Sequence, residues 1–174
     1  LGSTLGYQVG GGGTSGQYRT AVKYYKKGDA ISYTIGAGGV CTLTTITIGG
    51  NTSFDGILSA GGNPAGGNNV RDANGYTYTW QGGFSAGYGS NPGRDGGSIT
   101  FTSGPTSLYA GSGGSSAFGA GGITTGGGGG ILAPGSPGSG YGSGGSGAFG
   151  QGKIGDALGG AGAPGCVRVT FIGV

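Results

Sequence analysis

A chain of 174 residues suits one domain, and its net charge of +3, from eight basic and five acidic side chains without His, is too small and scattered for a nucleic-acid footprint. Glycine supplies 53 residues and charged types only 7%, with Met absent and all five acids Asp; ordinary chains hold roughly 7% Gly. Two Cys without His make no zinc site, and no run is long and apolar enough to insert into a membrane.

Residues 18–25 (YRTAVKYY) mix Tyr, Thr and Val as strands do. Gly28-Asp29 is a turn signal. The stretch 30–35 (AISYTI) alternates, with Ile31, Tyr33 and Ile35 on one face. Residues 40–48 (VCTLTTITI) are β-branched and predict a strand, Gly49-Gly50-Asn51 a turn, and 52–58 (TSFDGIL) another short strand. At the far end 166–172 (CVRVTFI) alternates Val167, Val169 and Phe171 against Arg168 and Thr170. No segment carries a helical period, so the fold class is all-β. The two ends, 1–60 and 163–174, are expected to pair in a small antiparallel β sandwich. Cys41 and Cys166 each lie at the edge of a β segment, either as buried free thiols or as one disulfide closing a long loop.

Between these ends, 61–162 is the glycine-rich body. Its irregular spacing and the six Pro of the chain exclude collagen. A flexible linker is opposed by 10 Tyr, 6 Phe and one Trp. The remaining reading is a bundle of polyglycine-II helices, which have three residues per turn and no internal hydrogen bonds. Their outward N–H and C=O groups then bond sideways to neighbours. The pure run 126–130 is expected at the centre of such a bundle. Residues 111–121 (GSGGSSAFGAG) repeat as 142–152 (GSGGSGAFGQG), with Phe118 and Phe149 in register. The repeat predicts equivalent positions, each Phe capping an edge. Polar–aromatic segments interrupt the Gly stretches and read as loops projecting from the scaffold, where recognition is usually carried.

Residues 24–62 (YYKKGDAISYTIGAGGVCTLTTITIGGNTSFDGILSAGG) carry Gly28-Asp29, then Ile35-Gly36-Ala37-Gly38-Gly39, Thr52-Ser53-Phe54 and Leu58-Ser59-Ala60-Gly61-Gly62. A Gly-Ala-Pro-Gly at 162–165 leads into the terminal β segment. These motifs resemble the glycine-rich domain at the ends of bacteriophage tail-fibre proteins. The resemblance implies polyglycine-II helices that display variable loops. It implies a virion protein at the distal end of a tail fibre, joined to the rest of that fibre. It also implies partners on the host: an outer-membrane protein or a surface glycan such as lipopolysaccharide. Fibres of this kind are generally homotrimers, though some tip adhesins sit singly on a trimer. A phage protein matures in a reducing cytosol, which favours free thiols at Cys41 and Cys166.

Tyr76, Tyr78 and Trp80 alternate and are expected to share one strand face, either packed on the Gly scaffold or as a platform for a sugar ring or protein loop. Tyr88, Tyr109, Tyr141, Ile131 and Leu132 are further receptor-binding candidates, the last two directly after the five-Gly run. Arg71 and Arg94 suit acidic sugars or lipopolysaccharide phosphate, against plain pairing with Asp72 and Asp95. An enzyme is not expected, and neither metal nor cofactor. With no His or Glu, a general acid–base pair would need two of Asp29, Asp55, Asp72, Asp95 and Asp156, all in turn-like contexts. Two alternatives from other classes are an ice-binding protein, which needs a flat regular Thr/Ala face, and an extracellular structural glycine-rich protein, which needs more numerous and uniform repeats.

Overall fold

The computed structural model describes residues 7–42, 45–59, 61, 78–80, 99–101, 108–123, 126–127, 131–151 and 157–173. Among them there is no helix, and every strand pairing is antiparallel, so the fold is all-β at a coarse level. Strands β1 (Tyr7–Val9), β10 (Phe149–Gln151) and β9 (Ile131–Ala133) form one sheet in the order β1-β10-β9. Strands β2 (Tyr33–Thr34), β3 (Thr52–Phe54) and β4 (Ile57–Ser59) form a second. Two ribbons complete the set: β5 (Tyr78–Trp80) with β6 (Ile99–Phe101), and β7 (Leu108–Tyr109) with β8 (Gly126–Gly127).

These strands are short, and most of the order lies elsewhere. Segment 142–148 is bonded through its backbone to five other stretches. Gly10, Gly13 and Gly16 N–H donate to the carbonyls of Ala148, Gly145 and Gly142 (2.9, 2.9 and 2.8 Å), an antiparallel pairing that advances by three residues. Gly144 and Gly147 N–H donate to Gly114 and Gly111 (both 2.9 Å). Gly122 N–H donates to Gly144, and Ser146 N–H to Ser136. From the remaining side, Gly160 and Ala163 N–H donate to Ser146 and Ser143 (both 2.8 Å), and Gly142 N–H to Pro164 (2.7 Å). The outer segments bond to one another at the same spacing. Gly111 and Gly114 donate to Gly10 and Gly13, and Gly135 and Gly138 donate to Leu158 and Ala161. A β-strand bonds to neighbours on two sides only; this segment bonds on several.

Glycine is required where these backbones approach. A methyl group on Gly144 would fall 2.1 Å from Gly13 O, and one on Gly147 falls 1.9 Å from Gly10 O. On the intervening Gly145 it would instead meet Gly160 O at 2.0 Å. Residues three apart thus face the same neighbour, and the residue between them faces another. Positions 143–147 are all buried, including Ser143 and Ser146 at 2% exposure. Their hydroxyls are absorbed by the backbone: Ser143 Oγ donates to Ser139 O (2.7 Å), and Ser146 Oγ accepts from Ser136 N–H (2.8 Å). Ala110 is the one buried hydrophobic residue among those described.

Several expectations are corrected. Among the described residues the network centres on 142–148. Within 126–130, Gly126–Gly127 forms β8 against β7, and 128–130 lie outside the described residues. Two of the network's buried positions are serines, Ser143 and Ser146, whose hydroxyls bond to backbone. The network also reaches beyond 61–162, drawing in 10–16, 36–39 and 162–165: Gly162 and Gly165 N–H donate to Gly39 and Gly36. The two repeats do not occupy equivalent positions. They pair antiparallel, 111 with 147 and 114 with 144, which sends Phe118 to one end, bridged to Tyr141, and Phe149 to the other, paired with Val9.

The ends differ from the expected sandwich. Segment 40–48 folds back on itself, Thr47 N–H donating to Val40 O and Thr42 N–H to Thr45 O, because Thr42 Oγ1 bonds locally to both backbone groups of Thr45. Segment 52–58 contains a hairpin turn. Asp55 (φ 45°) and Gly56 (φ 77°) both take positive φ, the geometry of a two-residue turn whose twist matches the flanking strands. Segments 18–25 and 166–172 form no strand. The backbones of 20–25 and 166–173 make no hydrogen bond to other described backbone, and Tyr24, Phe171 and Ile172 stand 95%, 87% and 81% exposed.

Candidate recognition surface

Tyr78 and Trp80 lie in β5, whose register pairs position 78 with 101 and 80 with 99 in β6. Alternation therefore places positions 78 and 80 on one face of a two-stranded ribbon, with the Phe101 and Ile99 positions directly across. Tyr76, Tyr88, Arg71 and Arg94 lie outside the described residues, as do Asp72, Asp95 and Asp156. Tyr109 ends β7 opposite Gly126. Ile131 and Leu132 lie in β9, opposite Gln151 and Gly150, and Leu132 is half-buried. The β9 segment is thus part of a sheet.

Tyr141 is the candidate with the fullest surroundings. It is 51% exposed, its N–H donates to Phe118 O (3.3 Å), and its carbonyl accepts from Ser116 Oγ. Glycines with positive φ flank it, Gly140 (68°) and Gly142 (70°), so the chain turns there and the ring leaves the network. Phe118 meets Tyr18 edge to face, ring centroids 5.5 Å apart at 66°. Tyr18, Phe118 and Tyr141 thus gather three partly exposed aromatics. Sequence reading singled out Tyr141 and Phe118 separately. Tyr18 carried no signal, since its partner lies a hundred positions away.

A second cluster lies on the hairpin. Lys23 Nζ donates to Asp55 Oδ2 and Asp55 O (both 2.6 Å), and Tyr25 OH donates to Asp55 Oδ2 (3.0 Å). The Lys23 ammonium, then the Tyr25 hydroxyl, hold the Asp55 carboxyl below its ordinary value. Asp55 in turn raises Lys23 through the same hydrogen bond. Tyr25 is pushed up by burial first and by its bond to Asp55 second. This is a clamp: one carboxylate oxygen, Asp55 Oδ2, accepts from two donors on a neighbouring segment. Asp29 caps its own turn, accepting from Lys26 N–H (2.7 Å).

Cys41 and Cys166 are free and half-buried. Among the described residues no three His, Cys, Asp or Glu gather in a way that could hold a metal ion. No helix among them is long and apolar enough to cross a membrane. No protein-family model, curated protein or solved structure matches the chain.

Proposed function

We propose that this chain is the receptor-binding tip of a bacteriophage tail fibre: a rigid, non-catalytic scaffold of packed polyglycine-II helices that presents aromatic side chains to the host surface. The observation that carries this reading is the three-residue advance of the backbone bonds around 142–148, with neighbours on several sides. A polyglycine-II helix has three residues per turn and turns each successive residue toward a different neighbour. The alternation of close approaches at Gly144, Gly145 and Gly147 follows the same rule. Such packing gives rigidity without an apolar core, which frees the aromatic residues for recognition. The sequence motifs at 24–62 and 162–172 supply the link to tail fibres.

Recognition falls to the β5 ribbon, with Tyr78 and Trp80, and to Tyr141. Tyr and Trp offer large amphipathic area at low entropy cost. The partner is an outer-membrane protein or surface glycan, bound reversibly without metal or cofactor. The test is capture of the purified chain on a panel of bacterial strains, beside a Tyr76/Tyr78/Trp80→Ala variant. Binding to a narrow set of strains, lost in the variant with its melting temperature unchanged, is the expected result. Absence of binding to every strain overturns the adhesive reading, and inhibition of ice recrystallisation by the same sample would then replace it with the ice-binding one.

A further inference from the structure

Residues 20–27 border an open cleft of about 1190 Å³, whose other borders include the 142–146 stretch, the β3–β4 hairpin and the terminal run 166–173. The 20–27 run is fixed at both ends. Before it, Gly16 N–H donates to Gly142 O (2.8 Å) and the Tyr18 ring meets Phe118. After it, the turn at 26–29 closes on itself: Asp29 N–H donates to Lys26 O (3.1 Å) and Lys26 N–H to Asp29 Oδ2 (2.7 Å). Between these ends the backbone of 20–25 makes no hydrogen bond among the described residues. The hydrogen bonds that 20–25 does make to the described chain all end on Asp55: two from Lys23 Nζ and one from Tyr25 OH. Lys23 and Tyr25 thus share one side of the run, while Val22 and Tyr24 stand 79% and 95% exposed, the alternation of an extended segment. Asp55 is a fixed post, held by the hairpin turn and by its own N–H, which donates to Ser32 O (2.9 Å). Gly28 (φ 97°) has open space where a side chain would stand, so the turn at the end of the run is free to rotate.

We propose that 20–27 is a strap over this cleft and that Asp55 is its latch: with Lys23 and Tyr25 engaged the cleft is covered from that side, and on their release the strap swings between its fixed ends and the cleft opens. A segment without backbone bonds or buried apolar side chains lies at the low end of local stability, so side-chain bonds to one carboxylate suffice to set its position. An exposed ion pair is a weak tie and is screened by salt, which makes the latch shallow and readily released. Its loss should raise the open population about two- to five-fold. The cleft carries its own reporters, since Cys41 and Cys166 both border it, free and half-buried. The inference concerns access to the cleft and needs no receptor, so it stands or falls apart from the adhesive reading.

Labelling of Cys41 and Cys166 in the 174-residue chain by a bulky uncharged maleimide tests it, with hydrogen exchange on the same sample. The Lys23→Gln/Tyr25→Phe variant should label about two- to five-fold faster than the unaltered chain, while the 143–147 amides stay protected. Raised salt should speed labelling of the unaltered chain and leave the variant as it is, a response that loss of packing alone would not give. Equal rates in the two chains overturn the proposal, as does a rate in the unaltered chain that salt does not change. Should the variant lose protection at 143–147, the unaltered chain treated with a carbodiimide decides. The reagent joins the Lys23 amine to the Asp55 carboxyl as an amide, taking up the water released, and so fastens the strap. Slower labelling of the linked chain then supports the latch, and an unchanged rate overturns it.

Discussion

Replacing Gly144 with Ala adds one methyl group in the middle of the backbone network. That methyl falls 2.1 Å from Gly13 O, 2.7 Å from Gly13 C and 2.8 Å from Thr14 O. All three are backbone atoms, so no flexible side chain can swing aside. A carbon–oxygen contact normally needs roughly 3.3 Å, so the two backbones must part by about 1 Å. Three bonds are then stretched beyond reach: Gly144 N–H to Gly114 (2.9 Å), Gly122 N–H to Gly144 (2.8 Å) and Gly13 N–H to Gly145 (2.9 Å). At ~1 kcal/mol net for each, the loss is about 3 kcal/mol. Ala recovers about 0.4–1 kcal/mol by restricting the unfolded chain. The net cost is about 2–3 kcal/mol, which lowers the melting temperature by roughly 4–12 °C for a chain of this size. Ser112→Val is the control, since Ser112 is exposed and surface changes stay within about 0.5 kcal/mol. Scanning calorimetry of both variants reads the difference directly. Equal melts would refute the close-packed network.

Gly145→Ala should cost about as much as Gly144→Ala although it strikes a different neighbour, Gly160; a melt like that of the unaltered chain would remove the several-sided packing. Asp55→Val should lower the melting temperature through strain at positive φ, whereas Asp55→Asn keeps the turn, and calorimetry separates them. The Lys23–Asp55–Tyr25 clamp sets a pH window. The lowered Asp55 value means its contribution is present above the ordinary 3.8 and fades as pH falls through the lowered value. The raised Lys23 and Tyr25 values mean theirs is present below 10.5 and 10.0 and fades as pH rises through the raised ones. The melting gap between the unaltered chain and Asp55→Asn should therefore be widest at neutral pH and narrow at both extremes; a pH-independent gap would sink the clamp. Thr52→Val removes the hydroxyl that accepts from buried Gly36 N–H (3.1 Å) and should cost about 1–3 kcal/mol, with Thr52→Ser close to neutral in the same melt.

The composition made a glycine-based backbone network legible, but not its centre. Ser143 and Ser146 gave no sign of it, yet their side chains are short enough to return their hydroxyls to the backbone and are buried there. The Asp55-Gly56 turn carried the strongest short hairpin signal in the chain, yet it lay inside a run that reads as one strand. Thr42 and Thr45 hid a reversal within a β-branched stretch for a related reason: local hydroxyl bonds outweigh strand preference. The terminal sandwich was the natural expectation for two alternating ends, and a single chain does not form it among the described residues. Of the recognition candidates, the placement of Tyr78 and Trp80 on one strand face was legible from alternation. The meeting of Tyr18 with Phe118 was not, since it depends on how distant Gly segments stack.

The three-residue advance of the bonds has a consequence for how such a chain can change length. Inserting or deleting three residues in a stretch such as 111–114 or 142–148 restores every donor to the neighbour it faced before. Inserting one or two turns all later donors toward the wrong neighbour. Length variation among kindred chains should therefore come in triplets within the bonded stretches and in any number within the connections between them. That arithmetic gives a lineage a free hand with the displayed surface while its scaffold is counted in threes.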